Sequence, residues 1–155
     1  MKKVLVLMAV ILILAGCGKD KITQNDPTDN EVMAINLTMA EDPTSTTNEL
    51  IFHLATDQIL GCANFKILYD LKWRGLAPEI DILGSDLPDI CATAYGPATA
   101  AINMGVLPSG EHIITINNGM SSIFKLIVTE NAYQIVPEEL HNLTINNSYL
   151  ARDPG

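Results

Sequence analysis

Basic residues are scarce in this chain, which has nine Lys and Arg against eighteen Asp and Glu. Two of the nine, Lys2 and Lys3, lie at the start, so the chain from Cys17 onward keeps seven basic and eighteen acidic side chains, a balance of 7 − 18 = −11. Nucleic-acid phosphates and anionic lipid headgroups attract proteins through clustered Lys and Arg. The composition therefore excludes nucleic-acid binding and predicts a domain that does not adhere to a membrane surface by charge.

Sequence patterns for catalysis and metal binding are also absent. The three histidines, His53, His112 and His141, are far apart, and none belongs to a paired-histidine or His-x-Glu pattern. No serine lies in Gly-x-Ser-x-Gly, and Ser109, although near His112 in sequence, has no acidic residue placed to orient the histidine. We therefore predict no enzymatic activity, no cofactor and no metal site, with His53 and His112 pointing outward from strands.

Two predicted loops carry residues suited to contacting a ligand. Asp81, Asp86 and Asp89 cluster around one turn, where a solvated acidic loop is the favoured interpretation and a weak calcium site the alternative. Tyr95 lies in Ala94-Tyr95-Gly96-Pro97 and is the candidate for an exposed aromatic ligand contact. Neither feature indicates a particular ligand.

The chain begins with a short basic segment, followed by an apolar run from Val4 to Leu14. This length is typical of the hydrophobic region of a signal peptide and is too short to span a bilayer of about 30 Å as a helix. The run ends in Leu14-Ala15-Gly16-Cys17, which resembles the lipobox of bacterial prolipoproteins. Leu14 takes the −3 position, and the small residues Ala15 and Gly16 let the extended backbone enter a signal peptidase.

The resemblance implies cleavage before Cys17 and transfer of diacylglycerol to its thiol. Two acyl chains on one cysteine suffice for stable anchoring, so the expected partner is a membrane, reached through lipid on Cys17. Gly18 follows the cysteine where Asp would, in the enterobacterial sorting rule, favour inner-membrane retention. The expected location is the cell envelope, with the outer membrane favoured in a cell that has two membranes. An ordinary signal peptide with a chance cysteine, or an uncleaved anchor, is the alternative.

Composition divides the chain into four segments: a signal peptide at 1–16, the lipidated cysteine and a flexible tether at 17–30, a β-domain at 31–137 and a polar C-terminal tail at 138–155. The tether is rich in Lys, Asp, Thr, Gln, Asn and Pro and has little apolar content. Polar residues dominate again from residue 138, and we expect that tail to fray.

Short alternating segments fill the predicted domain. Alternation with a period of two residues indicates strands with one buried face. It occurs at Met33, Ile35, Leu37 and Met39, at Leu50, Phe52 and Leu54, and at Phe65, Ile67, Tyr69, Leu71 and Trp73. In the third segment we predict that the aromatic side chains belong to the core and do not form an exposed binding platform. The alanine-rich stretch 93–106 is compatible with a short helix, but a strand is favoured.

Turn signals separate these segments every eight to twelve residues, and no amphipathic helix interrupts them. The Asn118-Gly119 pair predicts a hairpin, because both residue types tolerate positive φ. The stretch from Leu107 to Thr129 is similar to the terminal hairpin of many immunoglobulin-like bacterial modules. The predicted fold is all-β, an immunoglobulin-like β-sandwich of seven or eight short antiparallel strands.

Three cysteines limit the disulfides that can form. With Cys17 lipidated, Cys62 and Cys91 are the one available pair, and export would place them in an oxidising compartment. The predicted disulfide would stabilise the domain by roughly 3 to 4 kcal/mol in the chain-entropy model. Two buried free thiols are the alternative.

Together these observations predict a membrane-anchored envelope lipoprotein whose small domain has an accessory or interaction role, with an envelope protein or a glycan as partner. A glycan- or peptide-binding module is one alternative. It requires exposed aromatics in a groove, so inward-facing Phe65, Tyr69 and Trp73 would count against it. A hydrolase is the other alternative, and it requires His53 or His112 to meet an acid and a nucleophile in one pocket.

Overall fold

A computed structural model describes residues 32–86 and 89–152 of the chain. The predicted signal peptide, the lipobox residues Leu14, Ala15 and Gly16, the lipidation site Cys17 and the tether lie outside the described residues. Within the described ranges, no helix is long and apolar enough to cross a membrane.

The described part of the chain folds into strands and contains no helix, which confirms the predicted all-β class. Its strands are β1 (Ile35–Glu41), β2 (Leu50–Thr56), β3 (Lys66–Arg74), β4 (Ala77–Asp86), β5 (Thr99–Gly105), β6 (Gly110–Asn118), β7 (Met120–Val128), β8 (Ala132–Glu139), β9 (Leu143–Ile145) and β10 (Tyr149–Ala151). The alanine-rich stretch is therefore a strand from Thr99 onward, as favoured, and a loop before it.

All ten of these strands belong to one sheet, in the order β10-β8-β7-β6-β4-β3-β5-β2-β1-β9. The sheet curls into a single half-barrel, so the immunoglobulin-like sandwich of antiparallel strands is not confirmed. Three of the pairings are parallel: β4 with β6, β3 with β5 and β1 with β9. Period-two alternation identifies strands but not their partners, which is why the sequence left the pairing undetermined.

The concave face of the curled sheet holds the core. Phe52 of β2 and Phe124 of β7 lie on strands separated by four others in the sheet order, yet their ring centroids are 6.1 Å apart. The alternating residues predicted for β1 and β2 are buried, with the exception of the half-buried Met33 that precedes β1. Tyr133 of β8 is also fully buried, and its hydroxyl donates to the carbonyl of Asn48 at 2.9 Å, across the opening of the curl.

Residues 138–152 complete the sheet, which corrects the expectation of a frayed polar tail. β9 pairs with β1 at one edge, and β10 pairs with β8 at the other, so one short segment joins both edges. Asn147 extends the first pairing, because its side-chain amide accepts from the backbone N–H of Met39 and donates to the carbonyl of Met39, at 2.7 and 2.9 Å. The side chain of Asn147 here takes the place of a backbone partner for Met39. The polar composition of the segment does not reveal such a contact.

The predicted hairpin at Asn118-Gly119 joins β6 to β7. Only Gly119 has positive φ there, at 71°, while the Asn118 amide donates to the carbonyl of Met33. The turn is therefore tied to the segment that leads into β1.

Candidate functional site

Strand β3 is paired along its whole length on one side only. It pairs with β4 from Lys66 opposite Asp86 to Arg74 opposite Ala77. Its pairing with β5 is limited to Lys66 opposite Thr99, so the two strands separate beyond that point. We call the backbone of residues 67–74 on this side the open edge of β3.

Backbone groups of alternate residues face the open edge. The N–H of Thr99 donates to the carbonyl of Phe65 at 3.1 Å, so odd-numbered residues of this segment direct their backbone toward β5. Because the direction alternates along a strand, the N–H and C=O groups of Tyr69, Leu71 and Trp73 lie along the open edge. The even-numbered residues direct theirs toward β4.

The facing edge of β5 is capped by side chains. The hydroxyl of Tyr69 donates to the carbonyl of Ala101 at 3.4 Å, and the side-chain oxygen of Asn103 accepts from the N–H of Gly105 at 2.6 Å. The separation of the two strands therefore leaves β3, more than β5, with an available ladder of donors and acceptors.

The aromatic side chains of β3 contradict the prediction that they belong to the core. Tyr69 and Trp73 share a face with the buried Ile67, but they are 37% and 44% exposed. Phe65 and Leu71 are partly buried against the core. β5 pairs with β3 at one residue only, so no paired strand flanks Tyr69 and Trp73 on that side. Inward-facing, buried aromatics on β3 would have counted against a glycan- or peptide-binding module. Tyr69 and Trp73 are not buried, so they do not count against it.

The opposite face of the hairpin carries an ordered charge network. Lys72 lies 2.7 Å from Asp81 and 3.1 Å from Asp70, and Arg74 lies 2.8 Å from Glu79. The hydrogen bond to Asp81, more than any other contact, raises the pKa of Lys72. The strand therefore presents apolar side chains on one face and alternating charges on the other.

Asn117 of β6 connects this network to the sheet. Its amide donates to Glu79 at 2.9 Å and to Asp81 at 2.7 Å, and its carbonyl oxygen accepts from Ser121. The hydrogen bond from Asn117 is the main reason why the pKa of Asp81 lies below its ordinary value, with the bond from Lys72 second.

The base of the hairpin is fixed by a disulfide. Cys62 and Cys91 form a disulfide with a Cα–Cα distance of 5.3 Å, in agreement with the predicted pairing. The side chain of Asn64 adds two hydrogen bonds between the same loops, to the carbonyl of Ile90 at 2.8 Å and from the N–H of Ala92 at 3.0 Å. These links hold the loops that precede β3 and β5 together.

The tip of the hairpin is held by His112, which corrects the expectation that this residue points outward. His112 is 2% exposed, since it shares the inward face of β6 with Ile114 and Ile116. Its Nε2 lies 2.8 Å from the carbonyl of Pro108, and its Nδ1 lies 3.3 Å from the carbonyl of Leu76 at the hairpin tip. The buried side chain of His112 therefore contacts the loop before β6 and the tip of the β3–β4 hairpin, which is a structural role.

The remaining histidines and the serine are not brought together. His53 is exposed on β2, as expected, and Nε2 of His141 lies 2.8 Å from a carboxylate oxygen of Glu139. Ser109 is exposed in the turn before β6, whereas both ring nitrogens of the nearby His112 face carbonyl oxygens. The structure thus shows no nucleophile, base and acid in one place among the residues it describes.

The predicted loop residues remain separate as well. Tyr95 is 82% exposed. Asp81 belongs to the charge network of the hairpin, and Asp86 and Asp89 are exposed. Within residues 32–86 and 89–152, no group of three His, Cys, Asp or Glu side chains is placed to hold a metal ion.

Sequence reasoning missed the open edge of β3. One signal pointed toward it: Lys66, Asp70, Lys72 and Arg74 alternate on one face, and charged side chains are typical of strands at a sheet edge. The aromatic residues on the other face outweighed that signal. Comparison with protein-family models, curated proteins and solved structures finds no match for the chain.

Proposed function

We propose that the protein is a non-enzymatic envelope lipoprotein whose curled-sheet domain takes up an extended strand of a protein partner along the open edge of β3. Peptide recognition by strand addition uses unpaired backbone groups for affinity and alternate side chains for specificity. The observation that carries the proposal is the single-residue pairing of β3 with β5, which leaves the backbone groups of Tyr69, Leu71 and Trp73 without a paired strand on that side.

The two ends of the sheet support this assignment, because their edge strands are short. The sheet ends in β9 and β10, strands of three residues each that leave little backbone to recruit another chain. Natural sheets shorten or cover their edges in this way to prevent unwanted association. Strand β3 has nine residues and is held at its base by the Cys62–Cys91 disulfide and at its tip by His112. Between these points its β5 side has no paired strand. A rigid open edge lowers the ordering cost of binding.

Site-specific photo-crosslinking in the intact envelope tests the proposal. A benzophenone amino acid replaces Trp73 in the full chain, and Ile113, 50% exposed on β6, serves as the control position. We expect a discrete adduct from position 73 and none from position 113. Equal crosslinking at both positions would show that the edge has no preference for a partner.

Two substitutions at Leu71 sharpen the test. Leu71→Pro removes a backbone N–H from the open edge without removing one that bonds to β4, whereas Leu71→Ala shortens the side chain and keeps the N–H. The adduct is expected to disappear with proline and to persist with alanine. If both variants retain it, the partner is bound by side chains alone and strand addition is wrong.

The membrane anchor is the second part of the proposal and rests on the lipobox resemblance. Metabolic labelling with an alkyne fatty acid should mark the protein, and mass spectrometry should locate the lipid on Cys17. Cys17→Ser should abolish the label and release the protein from membranes. Retained labelling in that variant would overturn the anchor.

A glycan partner is the second candidate, and the exposure of Trp73 and Tyr69 favours it. Trp73 is the only tryptophan of the chain, so its fluorescence reports on this face alone. Titration with soluble cell-wall oligosaccharides should quench or shift its emission if sugars stack there. An unchanged spectrum would show that sugars do not stack on Trp73, and a strand of a protein partner would remain the proposed ligand.

A further inference from the structure

We infer that the strand taken up by the open edge of β3 is β3 of a second copy of this chain, paired antiparallel about a two-fold axis at Leu71. The inference rests on the proposed function, since it names the partner of the same edge. Two-fold pairing of identical edges is self-complementary and forms a closed dimer.

The backbone fits this axis. In an antiparallel ladder, residues that exchange hydrogen bonds alternate with residues that do not. An axis at Leu71 places Leu71 opposite its own copy and Tyr69 opposite Trp73 of the second copy, on both sides of the axis. These three residues are the ones whose N–H and C=O groups face the open edge. Together the two strands would form about six hydrogen bonds between copies.

The side chains fit it as well. Tyr69 and Trp73, the half-exposed aromatics, become cross-strand neighbours twice, and aromatic pairs of this kind are favourable in antiparallel sheets. The partly buried Leu71 lies between the two pairs. Pairing would thus place apolar side chains of the second copy beside those of Tyr69, Leu71 and Trp73.

Charge complementarity selects this register among its neighbours. With the axis at Leu71, Asp70 lies opposite Lys72 of the second copy, twice, at non-hydrogen-bonded positions where Cα atoms are about 4.5 Å apart. Moving the axis by one residue places Asp70 opposite Asp70, or Lys72 opposite Lys72. Like charges directly opposite each other destabilise a sheet, so both shifts are disfavoured.

The outer positions of the strand raise no conflict. Arg74 faces Leu68 of the second copy, and the pairing between copies ends there, because Thr99 of β5 already lies beside Lys66. Asp70 and Lys72 are each 51% exposed in their side chains, so both remain reachable although they already pair with one another. The chain is acidic overall, yet no like charges meet across this interface.

Cysteine crosslinking of the full chain in its membrane tests the pairing. Residues in a hydrogen-bonded antiparallel pair have Cα atoms about 5.5 Å apart, a distance that a disulfide accepts. Leu71→Cys should therefore yield a reducible dimer on mild oxidation, and Ile113→Cys should not. Absence of the Leu71→Cys dimer, or equal crosslinking of Ile113→Cys, would overturn the inference.

Charge variants add a test in trans that a folding defect cannot imitate. Asp70→Lys and Lys72→Glu, each combined with Leu71→Cys, should lower the dimer yield by about tenfold or more, because each places like charges opposite one another twice. Co-expression of the two variants with different tags should restore a mixed dimer, since each basic pair then meets an acidic pair. Failure of the mixture to recover would overturn the register.

The two proposals fail in distinguishable ways. If position 73 crosslinks to another protein in a proline-sensitive manner and Leu71→Cys gives no dimer, the second copy is wrong and the strand-binding edge stands. If position 73 gives no selective adduct of any mass, the proposed function itself is wrong.

Discussion

The imidazole Nδ1 of His112 lies 3.3 Å from the carbonyl oxygen of Leu76. This contact joins β6 to the tip of the β3–β4 hairpin, because Leu76 belongs to the turn between Arg74 and Ala77. The other ring nitrogen faces the carbonyl of Pro108 at 2.8 Å, so one buried side chain holds two loops. The hairpin is thereby fixed at the end where β3 and β5 have separated.

Replacing His112 with Leu should lower the free energy of unfolding by about 1 to 3 kcal/mol, because a buried carbonyl group loses the N–H donor of the imidazole. Urea denaturation measures the change. His53→Leu is the matched control, since His53 is exposed on β2, and its effect should stay within about 0.5 kcal/mol. Equal losses in both variants would show that the contacts of His112 contribute nothing specific.

Gly119→Ala should destabilise the β6–β7 hairpin. Gly119 has a φ of 71°, which costs an L-residue roughly 1 to 2 kcal/mol, and an added Cβ would collide with the side chain of Val32. Gly61→Ala is the control, because no atom lies within 4 Å of the position of its added Cβ. Thermal unfolding should therefore show a clear drop in Tm for Gly119→Ala and a small change for Gly61→Ala. The reverse order would contradict the turn geometry.

Reduction of the Cys62–Cys91 disulfide should lower the free energy of unfolding by about 3 to 4 kcal/mol, because the bond closes a loop with a sequence separation of 29 residues. Denaturation with and without a reductant measures the effect. The double variant with alanine at both positions should match the reduced protein and be insensitive to the reductant. Two free thiols at Cys62 and Cys91 in protein isolated without reductant would exclude the bond.

Acid should weaken the β3–β4 hairpin through Asp81. The pKa of the folded carboxyl lies below its ordinary value, chiefly because Asn117 donates to it. The stabilisation is therefore present above the unfolded pKa and is lost as pH falls through the folded one, below about pH 4. Lys72 has the opposite sign: its raised pKa means that its contribution disappears only as pH rises above about 10.

Unfolding midpoints measured from pH 7 down to pH 2 check this acid dependence. Asp81→Asn should flatten the acid limb relative to the unmodified protein, since the titrating group is gone. Asn117→Ala should flatten it partly, because the main cause of the lowered pKa is removed while Lys72 still bonds to Asp81. Parallel acid limbs in all three proteins would contradict the assignment.

Part of the fold was predictable because local physics decides it. The alternation of Ile35, Leu37 and Met39, and that of Leu50 and Phe52, identified two strands and their buried faces correctly. The cysteine pair was predictable on the expectation that Cys17 is lipidated, which leaves Cys62 and Cys91 to bond. The polar residues after Glu138 led to the wrong prediction of a frayed tail. The side chain of Asn147 forms hydrogen bonds with the backbone of Met39, and nothing in the local sequence marks that long-range contact.

The candidate site was not predictable in the same way. The pattern of Tyr69 and Trp73 shows that they share a face of a strand, and this is correct. How exposed such side chains are depends on the neighbouring strands and on what packs against them, and β5 pairs with β3 at one residue only. The burial of His112 likewise depends on the position of the hairpin tip.

The sequence by itself therefore determined the all-β class, the positions of most strands, the acidic balance and the one cysteine pair, because these follow from local periodicity and composition. The tertiary structure decided the strand order, the curl of a single sheet and the gap between β3 and β5, because they depend on contacts between residues distant in the chain. The open edge exists only through that arrangement. Its chemistry comes from nine consecutive residues, but its availability comes from where the next strand goes.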